Sequence, residues 1–422
     1  MRRPSKDSTH KLSADSQRLI SLAQALGQAA SRIEERNWER ALDVQLHKLL
    51  RTGHQDTVDS ALNSLFSLDL PAYDILMDSV EAVSESDTIV VEVDGESREY
   101  DILLVAAPVL AWTRFSIASG QIPSDILNTL SAHFSAHLLA DGTHMAMSST
   151  LYSIDQLPRT HAEAYSKVHK LAQAALKGQA VKSDSKVVET APFLADTRYL
   201  MVAVVAPHNG PLFRWQEPAH HAAQAEARRD ALAAWTTQAT PTVARLLPGC
   251  GVELLLPEAY YTGCREADKL IRPVSIRAAV HYLTHSLDCE PSDLRAVIAG
   301  FGDESAPDGQ VDEYRVAFTR RSDSDVMYGV VWPLYGQEDE EGTPAEGLSG
   351  TTLAELLKPR TPVEEIVEHL NAAGVSQVKK LGEKYVAEYC DDCGAPLFAD
   401  PSGELVHAEM PEDSATGTEH FH

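Results

Sequence analysis

Basic residues are scarce in this chain. Lys and Arg number 36 against 62 Asp and Glu, a formal charge of −26 in 422 residues. Such a surface repels phosphate backbones. No segregated basic face exists beyond Arg2, Arg3 and Lys6, so the reading is no nucleic-acid partner. Cysteine is scarce as well. Five in 422 residues make no disulfide framework, which points to a reduced, cytoplasmic protein. Met1-Arg2-Arg3-Pro4-Ser5-Lys6 carries the charges of a leader with no apolar run behind them, and no stretch reaches membrane-spanning length, so no membrane is expected either. The common catalytic signatures are missing too. There is no Gly-x-Ser-x-Gly elbow, no Gly-x-x-x-x-Gly-Lys loop, no Gly-x-Gly-x-x-Gly and no His-Glu-x-x-His.

What remains is an ordinary globular composition, 44% hydrophobic and 23% charged, long enough for two or three cores. Residues 1–84 read as a helical region. Leu19, Leu22, Ala23 and Leu26 share one face, followed by Leu42, Leu46, Leu49 and Leu50. Packing or contact with a protein partner is the ordinary role of such helices. Near Asp87 the period turns strand-like, and Asp94-Gly95 predicts a hairpin.

Residues 85–180 then read as an α+β unit, with a strand stopping at Pro108, a second strand over 111–117, helices and a short strand. A polar linker follows. The same order returns over 186–290, where Ala206-Pro207 echoes Ala107-Pro108 and Trp215 echoes Trp112. The expectation is two diverged copies of one ferredoxin-like α+β unit, then a third, looser unit over 291–388. The class is α+β.

The sharpest chemical signal lies in residues 389–422. Cys390-Asp391-Asp392-Cys393-Gly394 is the shape of a zinc knuckle. Two intervening residues let both thiolates reach one ion, and the glycine permits the bend behind the second sulfur. Asp400-Pro401-Ser402-Gly403 supplies a turn that returns His407, and His420 or His422 offers a fourth ligand for a structural Zn2+. A redox pair or inert thiols are the alternatives. No long helix opens at Cys393, which argues against a thioredoxin-like pair. From Cys390 onward there are eight acidic residues and no Lys or Arg, so this module is no reader of nucleic acid.

Two weaker constellations stand beside it. His133 and His137 have the helical spacing of a metal pair without an acidic base between them, and His220-His221 opens a loop or helix. Tyr260-Tyr261-Thr262-Gly263-Cys264-Arg265 follows an apolar strand and opens a helix. Free N–H groups there can hold an anion beside Arg265, and a thiol there can have a lowered pKa. Packing of the tyrosines is the plainer reading.

The opening Met1–Lys6, Tyr152-Ser153-Ile154-Asp155-Gln156-Leu157-Pro158, Ala259-Tyr260-Tyr261, Cys264-Arg265-Glu266-Ala267-Asp268, the stretch from Gly329 to Gly336 and the Cys390–His422 tail together resemble an uncharacterised bacterial family known only as a domain of unknown function. The resemblance spans nearly the whole chain. It implies a cytoplasmic bacterial protein and no activity. Two functions stay open. One is a non-enzymatic binding or scaffolding protein with a structural zinc tail. The other is a metal-dependent hydrolase using an open zinc site or a cleft near Cys264 and Arg265. Four protein ligands on the metal favour the first, three and a water the second.

Overall fold

The structure is a computed structural model that describes residues 12–93, 95–179, 181, 193–218, 223–302, 311–335 and 361–411. Four helices open it: α1 (Ala14–Gly27), α2 (Arg32–Arg51), α3 (Gln55–Leu68) and α4 (Leu70–Glu85). Ser13, Ser31 and Asp69 cap α1, α2 and α4 with side-chain oxygens. The apolar stripes meet in one core around Leu19, Leu46, Leu65 and Val80, all essentially inaccessible to water.

α4 runs directly into β1 (Ser86–Val93), which pairs with β2 (Glu96–Trp112) through a tight turn with Gly95 at φ +82°. β2 continues through Pro108 to Trp112, where the sequence suggests a stop. The reason is local. Pro108 faces the break between β7 (Gly251–Leu254) and β8 (Glu258–Ala259), and Leu255 N–H donates to its carbonyl at 2.8 Å. The missing proline donor therefore falls where the edge ladder is already interrupted.

The large sheet corrects the expected repeat. After β2 come β3 (Gly120–Gln121), α5 (Ser124–Leu138), β4 (His144–Met147), β5 (Thr150–Leu151) and α6 (His161–Lys177). After them come β6 (Ala195–Pro207), α7 (Gln224–Ala244), β7, β8 and α8 (Tyr260–Leu287). The two stretches share the order strand, helix, strand, helix, but apart from the two-residue pairing of β3 with β5 their strands form one shared sheet. β4 of the first pairs with β6 of the second, and β7 of the second pairs with β2 of the first. The order β7-β2-β6-β4, antiparallel throughout, is a split β-α-β arrangement formed once by both stretches. A boundary at 180–186 would cut through one sheet.

Helices cover both faces. Val105, Ala107, Val109, Leu200, Val202 and Val204 point to α5 and α7, while Leu104, Ala106, Met201, Ala203 and Val205 point to α6 and the start of α8. Burial on both faces explains why β2 and β6 read as unbroken apolar runs.

The third unit has its own sheet. β9 (Leu294–Gly302), β10 (Glu313–Arg320) and β11 (Tyr328–Pro333) form a meander, and α9 (Pro362–Ala372) returns the chain to β12 (Gln377–Val386), parallel to β9. α8 links the sheets. Ala267 and Val274 pack on the first and Ile276, Val280 and Leu283 on the second. Pro273 lies inside this helix and cannot donate to the carbonyl of Lys269. Arg272 Nε donates to that carbonyl instead, at 3.2 Å, and Arg272 Nη1 reaches Pro333 O at 2.8 Å. Among the described residues no helix is long and apolar enough to cross a membrane.

Candidate metal centre

The chain leaves β12 and turns at once. Tyr389 bridges Pro396, Cys390 N–H donates to Ala395 O at 2.8 Å, and Gly394 N–H donates to Cys390 O at 2.8 Å. Gly394 sits at φ +73°, the backbone state that favours glycine. β13 (Phe398–Ala399) and β14 (Leu405–Val406) then form a short hairpin. Its turn is organised by Asp400, whose Oδ1 accepts the N–H groups of Ser402, Gly403 and Glu404 at 2.7, 2.8 and 2.9 Å. Desolvation pushes the half-buried Asp400 carboxyl up, but the Ser402 hydroxyl and those N–H groups hold it below the usual range.

The hairpin returns His407 to the cysteines. The ligand atoms of Cys390, Cys393 and His407 lie within 4.8 Å of one another, and Cys393 Sγ is 3.2 Å from His407 Nε2. Ligands on one tetrahedral ion are about 3.5–4 Å apart, so small side-chain rotations bring all three onto a single metal. Backbone N–H groups of Cys393 and Asp392 and the neighbouring Cys393 thiol draw the Cys390 thiol below its ordinary pKa. The thiolate is the metal-binding form. On the far side of the imidazole, His407 Nδ1 lies 3.3 Å from Glu409 Oε1, the carboxylate partner that fixes a ligating histidine. The cluster can therefore hold a metal ion. His420 and His422 lie outside the described residues.

The stem beneath the cluster depends on a residue that sequence reasoning missed. Arg315 is only 1% exposed, in the middle of the apolar strand β10. Its Nη1 donates to Glu388 O at 2.8 Å and Leu397 O at 2.6 Å, its Nε meets Glu313 at 2.6 Å, and its guanidinium lies over the rings of Phe301 and Tyr389. A cation at an inward position of a strand was the available signal. Phe398 locks the hairpin to the sheet by lying against Gly329, where a Cβ would overlap the ring.

The other expected site is corrected. Tyr261 N–H at the start of α8 is already taken by Glu85 Oε2 at 3.0 Å, and Arg265 Nη1 meets both Glu81 carboxylate oxygens at 2.7 and 2.6 Å. Tyr260 OH donates to Pro158 O at 3.2 Å. Two carboxylates of the bundle thus occupy the Tyr261 N–H and Arg265, the groups expected to hold an anion. Burial, with Asp268 adding to it, pushes the Cys264 thiol up to about 12, the reverse of an activated nucleophile. Tyr261 and Arg265 instead dock the start of α8 onto the helical bundle. His133 and His137 stack on α5 at 6.0 Å and join no metal cluster among the described residues, and His220-His221 lie outside them.

The family model described as "Protein of unknown function (DUF2863)" matches residues 4–421. The chain belongs to that family. No curated protein and no solved structure matches it. The DUF2863 match spans the bundle, both sheets and the cysteine tail, so the metal cluster lies within the family's span.

Proposed function

We propose that this is a non-enzymatic binding protein of the cytoplasm whose C-terminal cluster holds a structural Zn2+ through Cys390, Cys393, His407 and either His420 or His422. The observation that carries the reading is the convergence of two thiols and an imidazole on a hairpin of two-residue strands. Thiolate and imidazole donors together suit Zn2+. So short a hairpin gains little from its own core, and metal binding can supply on the order of 10 kcal/mol of folding free energy. The two thiolates and the nearby Asp391, Asp392 and Glu409 also make the site electron-rich, which disfavours a strongly Lewis-acidic catalytic ion. Phe66, Leu68 and Leu70 stand exposed at the corner of α3 and α4, which supports contact with a protein partner. The acidic surface supports no nucleic-acid partner.

A second reading is an open, hydrolytic zinc site. It is favoured by the count of ligands, three among the described residues. The test is metal content and thermal stability of the wild type, Cys390→Ser, Cys393→Ser and a chain truncated after Glu419. One Zn2+ per chain is expected, lost in both serine variants and held more weakly in the truncated chain. A metal-free wild type refutes the zinc site. A truncated chain that keeps zinc at full affinity refutes the closed site in favour of the open one.

A further inference from the structure

A cavity of about 390 Å³ lies between the end of the first sheet and the second half of α8, far along the chain from the metal cluster. Junctions of this kind are where ligand pockets form, and the size suits one small molecule. Its walls are of two sorts. Trp112, Phe115 and Tyr282 present aromatic rings; Arg114, His281 and His285 present basic nitrogen. Among the described residues no carboxylate lines it, in a chain whose formal charge is −26.

Several details separate this cavity from an accidental gap. Among the described residues Arg114 makes no ion pair; its guanidinium lies 5.3 Å from the centre of the Phe115 ring. Phe115 is 57% exposed, a large ring left on the rim. His281 and His285 stack at 6.3 Å on successive turns of α8. Among the described residues the hydroxyl of Ser286, a residue 6% exposed, is buried with no hydrogen-bond partner. Buried hydroxyls are normally paired.

The loop that carries Arg114 and Phe115 is held from behind. Arg198 is 2% exposed, donates to Ala118 O at 2.9 Å and Ile117 O at 2.6 Å, and pairs with Asp196. Thr113 ties the other side, with its N–H on Leu194 O at 2.9 Å and its hydroxyl on Gly249 O at 3.1 Å. The wall is therefore built before any ligand arrives.

We infer that this cavity is a binding site for a small aromatic carboxylate. The ring packs among Trp112, Phe115 and Tyr282, and the carboxylate faces Arg114, with His281 and His285 beside it. Arg with a carboxylate is the strong, geometrically specific pair. Among the described residues none of the tail lines the cavity, and the inference does not rest on the metal reading.

The experiment titrates the full chain with 2-naphthoate and with neutral 2-naphthalenemethanol, followed by calorimetry and tryptophan fluorescence. Expected is one saturable site for 2-naphthoate, with weaker binding of the alcohol. Arg114→Gln lowers naphthoate affinity about tenfold and leaves the alcohol unchanged. Phe115→Ala weakens both. Arg114 and Phe115 are exposed, so neither substitution threatens folding. Cys393→Ser keeps the binding, which separates this site from the zinc proposal. Absence of saturable naphthoate binding below millimolar concentration overturns the inference. So does equal affinity for acid and alcohol, or an Arg114→Gln chain that binds naphthoate as the wild type does.

Discussion

The carboxylate of Glu85, at the last turn of α4, accepts the backbone N–H of Tyr261 at the first turn of α8, 3.0 Å away. One helix end thus caps another across more than 170 residues. With Glu81 on Arg265, it fixes the helical bundle to the sheet and fills the position where a ligand anion would sit.

This contact has a pH signature. Burial raises the Glu85 carboxyl to about 7, against the pull of the Tyr261 N–H. The folded state holds this proton more tightly than the unfolded chain. The stability it lends is complete below about pH 4.5 and is lost as pH rises through about 7. Glu85→Gln keeps an acceptor for Tyr261 without the charge. Denaturant titrations are expected to find it about 1–3 kcal/mol more stable than wild type near pH 8 and no different near pH 4. A variant less stable at pH 8 would count against this account.

Asp87, two residues on, has the opposite sign. Desolvation pushes its carboxyl up, but the His169 hydrogen bond at 2.9 Å, the His47 imidazole and the Thr88 N–H bring it below the ordinary value. Its contribution is present above the unfolded carboxyl range and fades as pH falls through the lower folded value. Asp87→Asn should cost about 1–3 kcal/mol near neutral pH. The difference from wild type should shrink in acid, and a constant penalty down to about pH 3 would show that packing, not charge, is at stake.

Removing the Arg315 guanidinium takes a buried donor from Glu313 and from the Leu397 carbonyl, and leaves the Glu388 carbonyl with only the Leu397 N–H at 3.1 Å. Arg315→Met is expected to destabilise the chain by about 3–5 kcal/mol. Metal content should fall with it, because the stem that presents Cys390 loses its anchor. Unchanged metal retention in a destabilised Arg315→Met chain would separate the stem from the cluster.

Gly329→Ala tests the same link from the sheet side. The added methyl overlaps the Phe398 ring, so the hairpin must move. A cost of about 1–3 kcal/mol is expected. Phe398→Ala in the Gly329→Ala background should relieve the overlap, and a double-mutant cycle without coupling would refute the contact.

Much of this was legible in the sequence, and the parts that were not have a common cause. The change of period at Asp87, the Gly95 turn and the Cys390–Gly394 bend are local, and local residue order determines them. The pairing of β2 with β6 joins Leu104 to Ala203, and no periodicity within either strand says which partner it takes. Cys264 misleads for the same reason. Its place at a helix start is written in the chain, but the burial that raises its pKa comes from the packing around it. Arg315 could be seen as odd, but the carbonyls it serves lie more than 70 residues downstream.

The interleaving of the large sheet also bears on how the chain is made. β2 is 17 residues long and apolar on both faces, yet its central neighbour ends only at Pro207. During synthesis from the N-terminus, β2 must wait for about a hundred further residues with only β1 beside it. Throughout that interval an apolar edge is open to other nascent chains. The four helices of the bundle, all made by Glu85, can pack early, and α6, whose Tyr165 joins their core, gives the unfinished sheet a surface to settle on.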